Sequence, residues 1–372
     1  MAGWFAAGSK AALRRNRETG KGQSVIFTQL ATATVLTGFG VAALVILVSG
    51  TRLTRLADTL ADRTGFGEAI AGAVLLGAAT SLSGTIVSIT AALEGHASLA
   101  FSNSIGGIAA QTTFLAIADL AYRKVNLEHA GAELVNIFQA VVLFGLLMLP
   151  LLAITLPPVT LWSVHPISFA IPVLYALSLA ASRTIHSIPM WRPVSTPDTR
   201  EDRPETEGLS ERGLSTPLLF AQFACLMIVL GISGWIVAET ASVLMERFAL
   251  SATLMGALAT ATVTSMPELV TTLAAIRRGA LQLAIGGIIG GNTFDTLFLT
   301  AADISYRDGS LYHAVVMADF FWVIVAALMT TVLLAGLILR ERVGPVRIGK
   351  ESVALLVIYA GAVAIQLLNV PS

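Results

Sequence analysis

Charged side chains are scarce in this sequence. Only 12% of its 372 residues are Asp, Glu, Lys or Arg, whereas 55% are hydrophobic. A water-soluble domain carries about 25% charged residues, so this chain lacks the side chains that a water-facing surface needs. The formal net charge is zero, which argues against a basic surface for nucleic acid. The composition therefore predicts a protein that is covered mainly by lipid.

Cysteine and histidine are also rare, with one and five residues. A single thiol excludes an intramolecular disulfide and a zinc site built from thiolates. The sequence has no HExxH motif, no GxSxG motif, no nucleotide-binding glycine loop and no histidine pair at metal-ligand spacing. These absences argue against a membrane enzyme, and we expect no cofactor.

Ten apolar stretches are long enough to cross a membrane, for which a helix needs about 20 mainly apolar residues. Their approximate bounds are 25–50, 68–93, 97–120, 134–157, 163–185, 216–240, 251–276, 280–304, 312–339 and 350–370. Segments 51–66 and 239–250 combine charges with apolar positions at helical spacing, which predicts short interfacial helices. The polar segment 186–213 predicts a flexible linker.

The sequences on the two sides of this linker repeat each other. A shift of 184 residues aligns 49–120 with 233–304 without a gap, and Thr80-Ser81 then falls on Thr264-Ser265. Five predicted spans per half require the second half to enter the bilayer in the opposite sense, as in many secondary transporters. We therefore predict an all-α membrane protein with ten transmembrane helices, arranged as two inverted five-helix repeats. Its parts are a basic tail (1–24), the first repeat (25–185), the linker (186–213) and the second repeat (214–372).

The distribution of Lys and Arg predicts the orientation. The loops after spans 1, 3, 5, 7 and 9 hold 16 of the 23 basic residues, and the loops on the other side hold only Arg247 and Arg307. The positive-inside rule then places the linker in the cytoplasm. For the basic tail three alternatives stay open: it is tolerated on the opposite side, it forms an extra element, or the number of spans differs by one. We expect a multi-pass protein of the cell (inner) membrane.

Two segments of the second half concentrate oxygen-bearing side chains: Thr264-Ser265-Met266-Pro267-Glu268, and the stretch from Gly286 to Asp295. A carboxylate inside an apolar span is costly unless it is paired, hydrated or bound to a cation. Pro267 removes a backbone donor and should interrupt its helix, which frees carbonyl groups. Carbonyls, hydroxyls and carboxylates together are the oxygen ligands that Ca²⁺ and other hard cations prefer.

These segments resemble the second alpha-repeat of the calcium/cation antiporter superfamily, to which the sodium/calcium exchangers belong. Segments 80–84 and 102–111 resemble the first alpha-repeat, so the two alpha-repeats span about 68–120 and 251–304. The resemblance implies that Thr264, Ser265, Glu268 and Asp295 line the ion sites. With the overlaid first half, the candidate metal-binding residues are Glu268, Asp295, Thr264, Ser265, Thr80, Ser81, Gln111, Asn103 and Asn292.

The first repeat departs from the family pattern. Gly84 stands where the family has a glutamate, and Gln111 is the counterpart of Asp295. The site therefore presents a formal charge of −2 from Glu268 and Asp295, which balances one divalent cation.

We predict a secondary active cation antiporter that exchanges Ca²⁺ or another divalent cation for Na⁺ or H⁺ by alternating access. Inorganic cations are then its substrates, and the lipid bilayer is its surroundings. Two alternatives stay open: a cation/proton antiporter without Ca²⁺ specificity, and a channel or a non-transporting scaffold.

Three further acids need an interpretation. Asp119 and Asp303 recur at the ends of two spans, and we expect solvated carboxylates at helix ends. Asp319 and His313 lie near the start of span 9, where an interfacial location is favoured over a proton path.

Overall fold

The structure, a computed structural model, describes residues 25–64, 77, 79–122, 125–199, 215–342 and 348–368. These residues are mainly helical, as the sequence predicts. The helices of the first half are α1 (Val25–Gln29), α2 (Thr32–Thr64), α3 (Leu82–Leu93), α4 (Ala97–Tyr122), α5 (Leu127–Ala130), α6 (Leu134–Thr155) and α7 (Pro166–Ser187). Those of the second half are α8 (Thr216–Phe248), α9 (Ala252–Leu254), a π-helix (Met255–Thr260), α10 (Ala261–Thr264), α11 (Met266–Arg278), α12 (Leu281–Asp295), α13 (Leu297–Ser305), α14 (Leu311–Ala314), α15 (Met317–Leu339) and α16 (Lys350–Leu368).

Eight helical segments of the described residues are long and apolar enough to cross a membrane. They are Thr32–Ala57, Ala97–Tyr122, Leu134–Thr155, Pro166–Ser187, Thr216–Phe248, Leu281–Ser305, Met317–Leu339 and Lys350–Leu368. Two shorter apolar helices, Leu82–Leu93 and Ala252–Thr264, accompany them. Residues 68–76 and 78 of the predicted span 68–93, and the whole tail 1–24, lie outside the described residues. The chain is thus an all-helical, multi-pass membrane protein.

The prediction of separate interfacial helices at 51–66 and 239–250 is wrong. Residues 51–64 and 239–248 instead continue the preceding span, each as part of one helix of 33 residues, α2 or α8. A rise of 1.5 Å per residue gives each a length of about 50 Å, well beyond the ~30 Å hydrocarbon core. The charged residues lie in the C-terminal half of each helix, and no proline separates them from the apolar part.

The N-terminal end of the linker contacts other parts of the chain. Arg342 Nε lies 2.6 Å from Asp198 Oδ2, and Arg340 donates to the carbonyl oxygen of Val194 over 2.6 Å. His129 Nε2 contacts Thr196 Oγ1 at 3.0 Å. This part of the linker is therefore bound to α5 and to the C-terminal end of α15, whereas residues 200–214 lie outside the described residues.

Asp119 and Asp303 are buried acceptors and not solvated helix ends, so that prediction is wrong. Their exposed fractions are 1% and 0%. Oδ1 of Asp119 accepts from the backbone N–H of Leu127, and Oδ1 of Asp303 accepts from that of Leu311. A buried carboxylate is stable here because backbone donors satisfy it.

The second oxygen of each aspartate links the two halves of the chain. Oδ2 of Asp119 accepts from Gly349 N at 3.0 Å, and Oδ2 of Asp303 accepts from His165 N at 2.7 Å. Asp119 and Asp303, and likewise His165 and Gly349, are separated by the same 184 residues as the sequence repeat. These equivalent bonds show that the halves contact each other with pseudo-two-fold symmetry.

Asp319 is buried as well, at the start of α15; its interfacial location stays a prediction. Its carboxylate accepts hydrogen bonds from Ser98, Ser102 and Thr253, at 2.5, 2.6 and 2.6 Å. His313 instead contacts Ser310 and the carbonyl oxygen of Leu156. Asp319 thus joins α15 to α4 and α9, and no pair between it and His313 forms.

Helix α4 lies at the centre of the molecule, and most of its residues are buried. Small residues allow other helices to approach it closely. A Cβ atom on Gly106 would lie 2.4 Å from Cα of Ala257 in the π-helix. This close packing brings the two predicted alpha-repeats together.

Candidate cation site

Two helices begin at equivalent positions beside the candidate residues. Helix α3 starts after Ser81, and helix α11 starts after Ser265, whose backbone angles are nearly the same (φ −88°, ψ 1° and φ −95°, ψ 0°). Such angles are sparsely populated and recur in functional sites. The predicted helix interruption before Pro267 is confirmed, since α10 ends at Thr264.

Asp295 holds two candidates of the first half in direct contact. Asp295 is 2% exposed and is the last residue of helix α12. Oδ1 accepts from Ser81 Oγ at 2.6 Å, and Oδ2 accepts from Gln111 Nε2 at 2.6 Å. Gln111 Nε2 also lies 3.3 Å from Ser265 Oγ. The structure therefore brings together four of the predicted residues, two from each half.

These contacts obey the pseudo-two-fold symmetry. Asp295 is the repeat equivalent of Gln111, and Ser81 is the equivalent of Ser265, at a separation of 184 residues. The Ser81–Asp295 and Ser265–Gln111 contacts are therefore the same contact made twice, once with an acid and once with an amide. The symmetry axis relating the halves passes through this cluster.

Two glycines keep space open at the same place. A Cβ on Gly107 would lie 3.5 Å from Asp295 Oδ2, and a Cβ on the equivalent Gly291 would lie 3.1 Å from Gln111 Oε1. Any larger side chain would extend over the carboxylate or the amide. Sequence comparison of the repeats aligned these glycines but did not reveal which atoms they face.

Glu268 lies in the first turn of α11 and is 5% exposed. Its carboxylate is in hydrogen-bonding contact with the hydroxyl of Thr80 and lies close enough to Asp295 for the two charges to interact. The cluster thus contains both predicted carboxylates. A hydroxyl of the first half again faces an acid of the second half.

The equivalent of Glu268 is Gly84, and it faces the equivalent hydroxyl. A Cβ on Gly84 would lie 3.5 Å from Thr264 Oγ1. The same Cβ would also lie 2.7 Å from the ring of Phe298, which is closer than van der Waals contact. The aromatic ring therefore occupies space that a larger side chain at position 84 would need. No sequence pattern indicates this role for Phe298.

Several buried oxygens have no hydrogen-bond donor among the described residues. In or beside the candidate set they are Ser83 Oγ, Gln111 Oε1, Glu268 Oε2 and Asn292 Oδ1. A buried polar atom without a partner costs about 1–3 kcal/mol, so such atoms usually have a ligand or water. Three of these atoms only accept, and the hydroxyl of Ser83 can also accept, so a cation is a suitable ligand for them.

The two asparagines differ in their contacts. Asn292 donates to Thr112 Oγ1 at 3.0 Å, and its oxygen stays without a donor. Asn103 donates to Gly84 O and to Ser88 Oγ, and its oxygen accepts from Thr260. The hydrogen bonds of Asn103 thus hold α3, α4 and the π-helix together, and its role as a ligand stays a prediction.

Neutral oxygens make up most of the set. Among the described residues, no group of three or more His, Cys, Asp or Glu side chains has an arrangement that could hold a metal ion. Sequence reasoning also missed Ser104, which donates to the carbonyl oxygen of Asp295 at 2.8 Å. Its position as a polar residue inside an apolar span was the available signal.

Known proteins share both sequence and fold with this chain. The family model described as sodium/calcium exchanger protein matches residues 34–183 and 218–368. The inner membrane protein YrbG of Escherichia coli (strain K12) is 27% identical over 289 residues, which cover 73% of this chain and 78% of that protein.

Solved structures superpose on most of the chain. The H⁺/Ca²⁺ exchanger CAX has a TM-score of 0.64 at 14% identity, over 96% of this chain and 92% of that one. The sodium-calcium exchanger NCX_Mj has a TM-score of 0.53 at 16% identity, over 90% of this chain and 99% of that one. At such identities the superpositions establish a common fold.

Proposed function

Because the chain belongs to the sodium/calcium exchanger family, which is a family of cation transporters and not of enzymes, we propose that it is a secondary active antiporter. It exchanges Ca²⁺ or another divalent cation for Na⁺ or H⁺ by alternating access. The exchange takes place at the cluster around Glu268 and Asp295. As YrbG is named an inner membrane protein, we place this chain in the same kind of membrane, with its linker in the cytoplasm.

We further propose ten spans in two inverted repeats, 25–185 and 214–372. The matched segments 34–183 and 218–368 fall within these two ranges. The reciprocal bonds of Asp119 and Asp303 support the inverted arrangement, because each aspartate binds a backbone N–H of the other half. Helix α3 and the segment Ala252–Arg278 would then provide the second span of each repeat.

The observation that carries the proposal is the set of unsatisfied oxygens at the symmetry axis. Glu268 Oε2 and Gln111 Oε1 are buried, lack a donor among the described residues, and belong to opposite halves of the chain. The Glu268 side chain interacts with Asp295 through charge, and Gln111 donates a hydrogen bond to Asp295 from its Nε2 atom. A site made by both halves is what alternating access about a fixed site requires.

The formal charge of the site favours one divalent cation per cycle. Glu268 and Asp295 supply −2, and Gln111 supplies a neutral amide at the position equivalent to Asp295. One Ca²⁺, two Na⁺ or two protons would each neutralise this charge. Such a site exchanges these ions in turn, because two of the sets together would leave an uncompensated buried charge.

Cation-dependent stability of the detergent-purified protein tests the site. A ligand that binds only the folded state at about 100 times its Kd raises the free energy of unfolding by about 2.7 kcal/mol. We expect Ca²⁺ to raise the melting temperature of the wild type and not that of Glu268→Gln. The control is Glu341→Gln, which removes a half-buried carboxylate that pairs with Lys350. Equal stabilisation of both variants would contradict the site.

A further inference from the structure

A second cluster of carboxyl groups lies away from the candidate cation site, where α3 ends and the chain turns into α4. Glu94 follows the last residue of α3, and Gly95 makes the turn with φ +82°. Glu94 Oε2 accepts a hydrogen bond from Ser242 of α8 at 3.2 Å. The carboxyl group of Glu239, one turn earlier in α8, is in hydrogen-bonding contact with that of Glu94.

Two carboxyl groups can form a hydrogen bond only if one of them carries a proton. Two ionised carboxylates at this distance repel each other, and neither can donate. Both groups are removed from water, since the side chain of Glu94 is 7% exposed and residue Glu239 is 4% exposed. Their contact therefore favours one shared proton at neutral pH.

The neighbouring charged groups increase this tendency. Glu246 adds a negative charge from the next turns of α8. His96 Nε2 lies 4.0 Å from Glu94 Oε2, but burial lowers the pKa of His96, which favours its neutral form. Arg247 donates to the hydroxyl of Thr32 and to two backbone carbonyls before α2, those of Thr28 and Leu30. Burial, together with the charge of Glu239, raises the pKa of Glu94 to about 8.

The same pair of helices also contacts the candidate cation site. A Cβ on Gly234 of α8 would lie 2.7 Å from the carbonyl oxygen of Ser83, two residues after Ser81. The α3–α8 contact therefore extends from the backbone beside the site to the carboxyl pair at the membrane face. A change in how α3 and α8 pack at Glu94 can act on the site through this continuous contact.

We propose that Glu94 and Glu239 bind one proton between them. This proton holds the C-terminal end of α3 against α8 and thereby regulates cation exchange. The regulatory half of this proposal rests on the proposed transport function, whereas the proton site does not. When the proton leaves at higher pH, two carboxylates face each other across the helices and the contact loosens. Under the predicted orientation this contact senses the pH outside the cytoplasm.

The sign of the pH dependence follows from linkage. The folded protein retains the proton up to about pH 8, whereas an unfolded chain releases it near the usual pKa of a glutamate, 4.5. The pair therefore stabilises the fold at low pH, and this contribution is lost as the pH rises through about 8. Glu94→Gln keeps a donor towards Glu239 at every pH, so this variant should not lose that contribution to stability.

The test compares melting temperatures of wild type, Glu94→Gln and Glu246→Gln at about pH 6 and about pH 9. Glu246 is the matched control, because it is an exposed carboxylate on the same helix. We expect Glu94→Gln to gain stability relative to wild type as the pH rises, and Glu246→Gln to follow wild type much more closely. Glu239→Gln provides the same test if Glu94→Gln does not fold. A parallel decline of wild type and both pair variants would overturn the proton site.

Regulation is tested in proteoliposomes by varying the pH only on the face that carries Glu94. Wild-type calcium flux should change across the same pH range, and the flux of Glu94→Gln should lose this part of its dependence. An unchanged pH profile in the variant would overturn the regulatory role. If the wild type transports no cation, the proposed function fails, while the melting temperatures still decide whether the proton site exists.

Discussion

Gln111→Glu is the most informative single change, because it makes the two halves of the candidate site alike. Gln111 Nε2 lies 2.6 Å from Asp295 Oδ2, so the new carboxylate would face the carboxylate of Asp295 directly. Two unit charges about 4 Å apart repel each other by about 4 kcal/mol at an effective dielectric constant of about 20. The empty variant should therefore be less stable than wild type by about this amount, unless it takes up a proton or a cation.

A divalent cation removes the same repulsion, so the penalty becomes binding energy. If all of it were recovered, calcium affinity would rise by up to about three orders of magnitude, since about 1.4 kcal/mol corresponds to a factor of ten. The assay is the melting temperature in chelator and in a calcium titration, with Kd measured by calorimetry. The control is Gln139→Glu, whose amide donates to Ser182 in another part of the protein.

The result that would refute this reasoning is a folded Gln111→Glu variant with wild-type stability in chelator and wild-type calcium affinity. In that case Gln111 and Asp295 would not share one cation cavity. Stronger calcium binding in Gln139→Glu as well would attribute the effect to general negative charge.

Three further predictions concern the buried acid, the glycine of the first repeat and the topology. Asp303→Asn keeps one oxygen but loses an acceptor for at least one of three buried donors, so it should lower the free energy of unfolding by about 1–3 kcal/mol in denaturant titrations. Gly84→Glu alone should bind calcium no better, because its Cβ contacts Phe298, whereas Gly84→Glu with Phe298→Ala should bind it more tightly by calorimetry. On a cysteine-free background, Arg307→Cys and not Asp198→Cys should be labelled from outside intact cells.

Each of these has its own control and contrary result. Asp308→Asn, at an exposed position, should leave stability unchanged, and an equal loss there would show that the fold does not depend on the bonds of Asp303. Improved calcium binding by Gly84→Glu alone would mean that the Phe298 ring moves away from position 84 at little energetic cost. Labelling at position 198 but not at 307 would reverse the predicted orientation.

Much of this architecture could be predicted from the sequence, because two physical signals are strong. Apolar length identifies spans, and the 184-residue repeat identifies equivalent positions. Charge within a helical pattern was a weaker signal, since 51–66 and 239–250 proved to be extensions of α2 and α8. Nothing in such a pattern distinguishes a helix that lies on the membrane from one that projects beyond it.

The site was predicted by residue type but not by contact. The sequence selected Ser81, Gln111, Ser265 and Asp295, and the structure shows which of them touch. The sequence alone could not show that Asp119 and Asp303 are buried, because the donors that satisfy them come from distant parts of the chain. Nor could it show that Phe298 occupies the space beside Gly84, since that contact depends on side-chain packing between the halves.

Calcium flux driven by a counter-ion gradient tests the central claim most directly. Purified protein in proteoliposomes should take up Ca²⁺ in a saturable manner only when an outward Na⁺ or H⁺ gradient is present, and Glu268→Gln should abolish this uptake while remaining folded. Glu341→Gln should transport like wild type. Uptake that does not depend on a counter-ion would indicate a channel, no uptake of any cation would indicate a scaffold, and wild-type flux in Glu268→Gln would contradict the site described here.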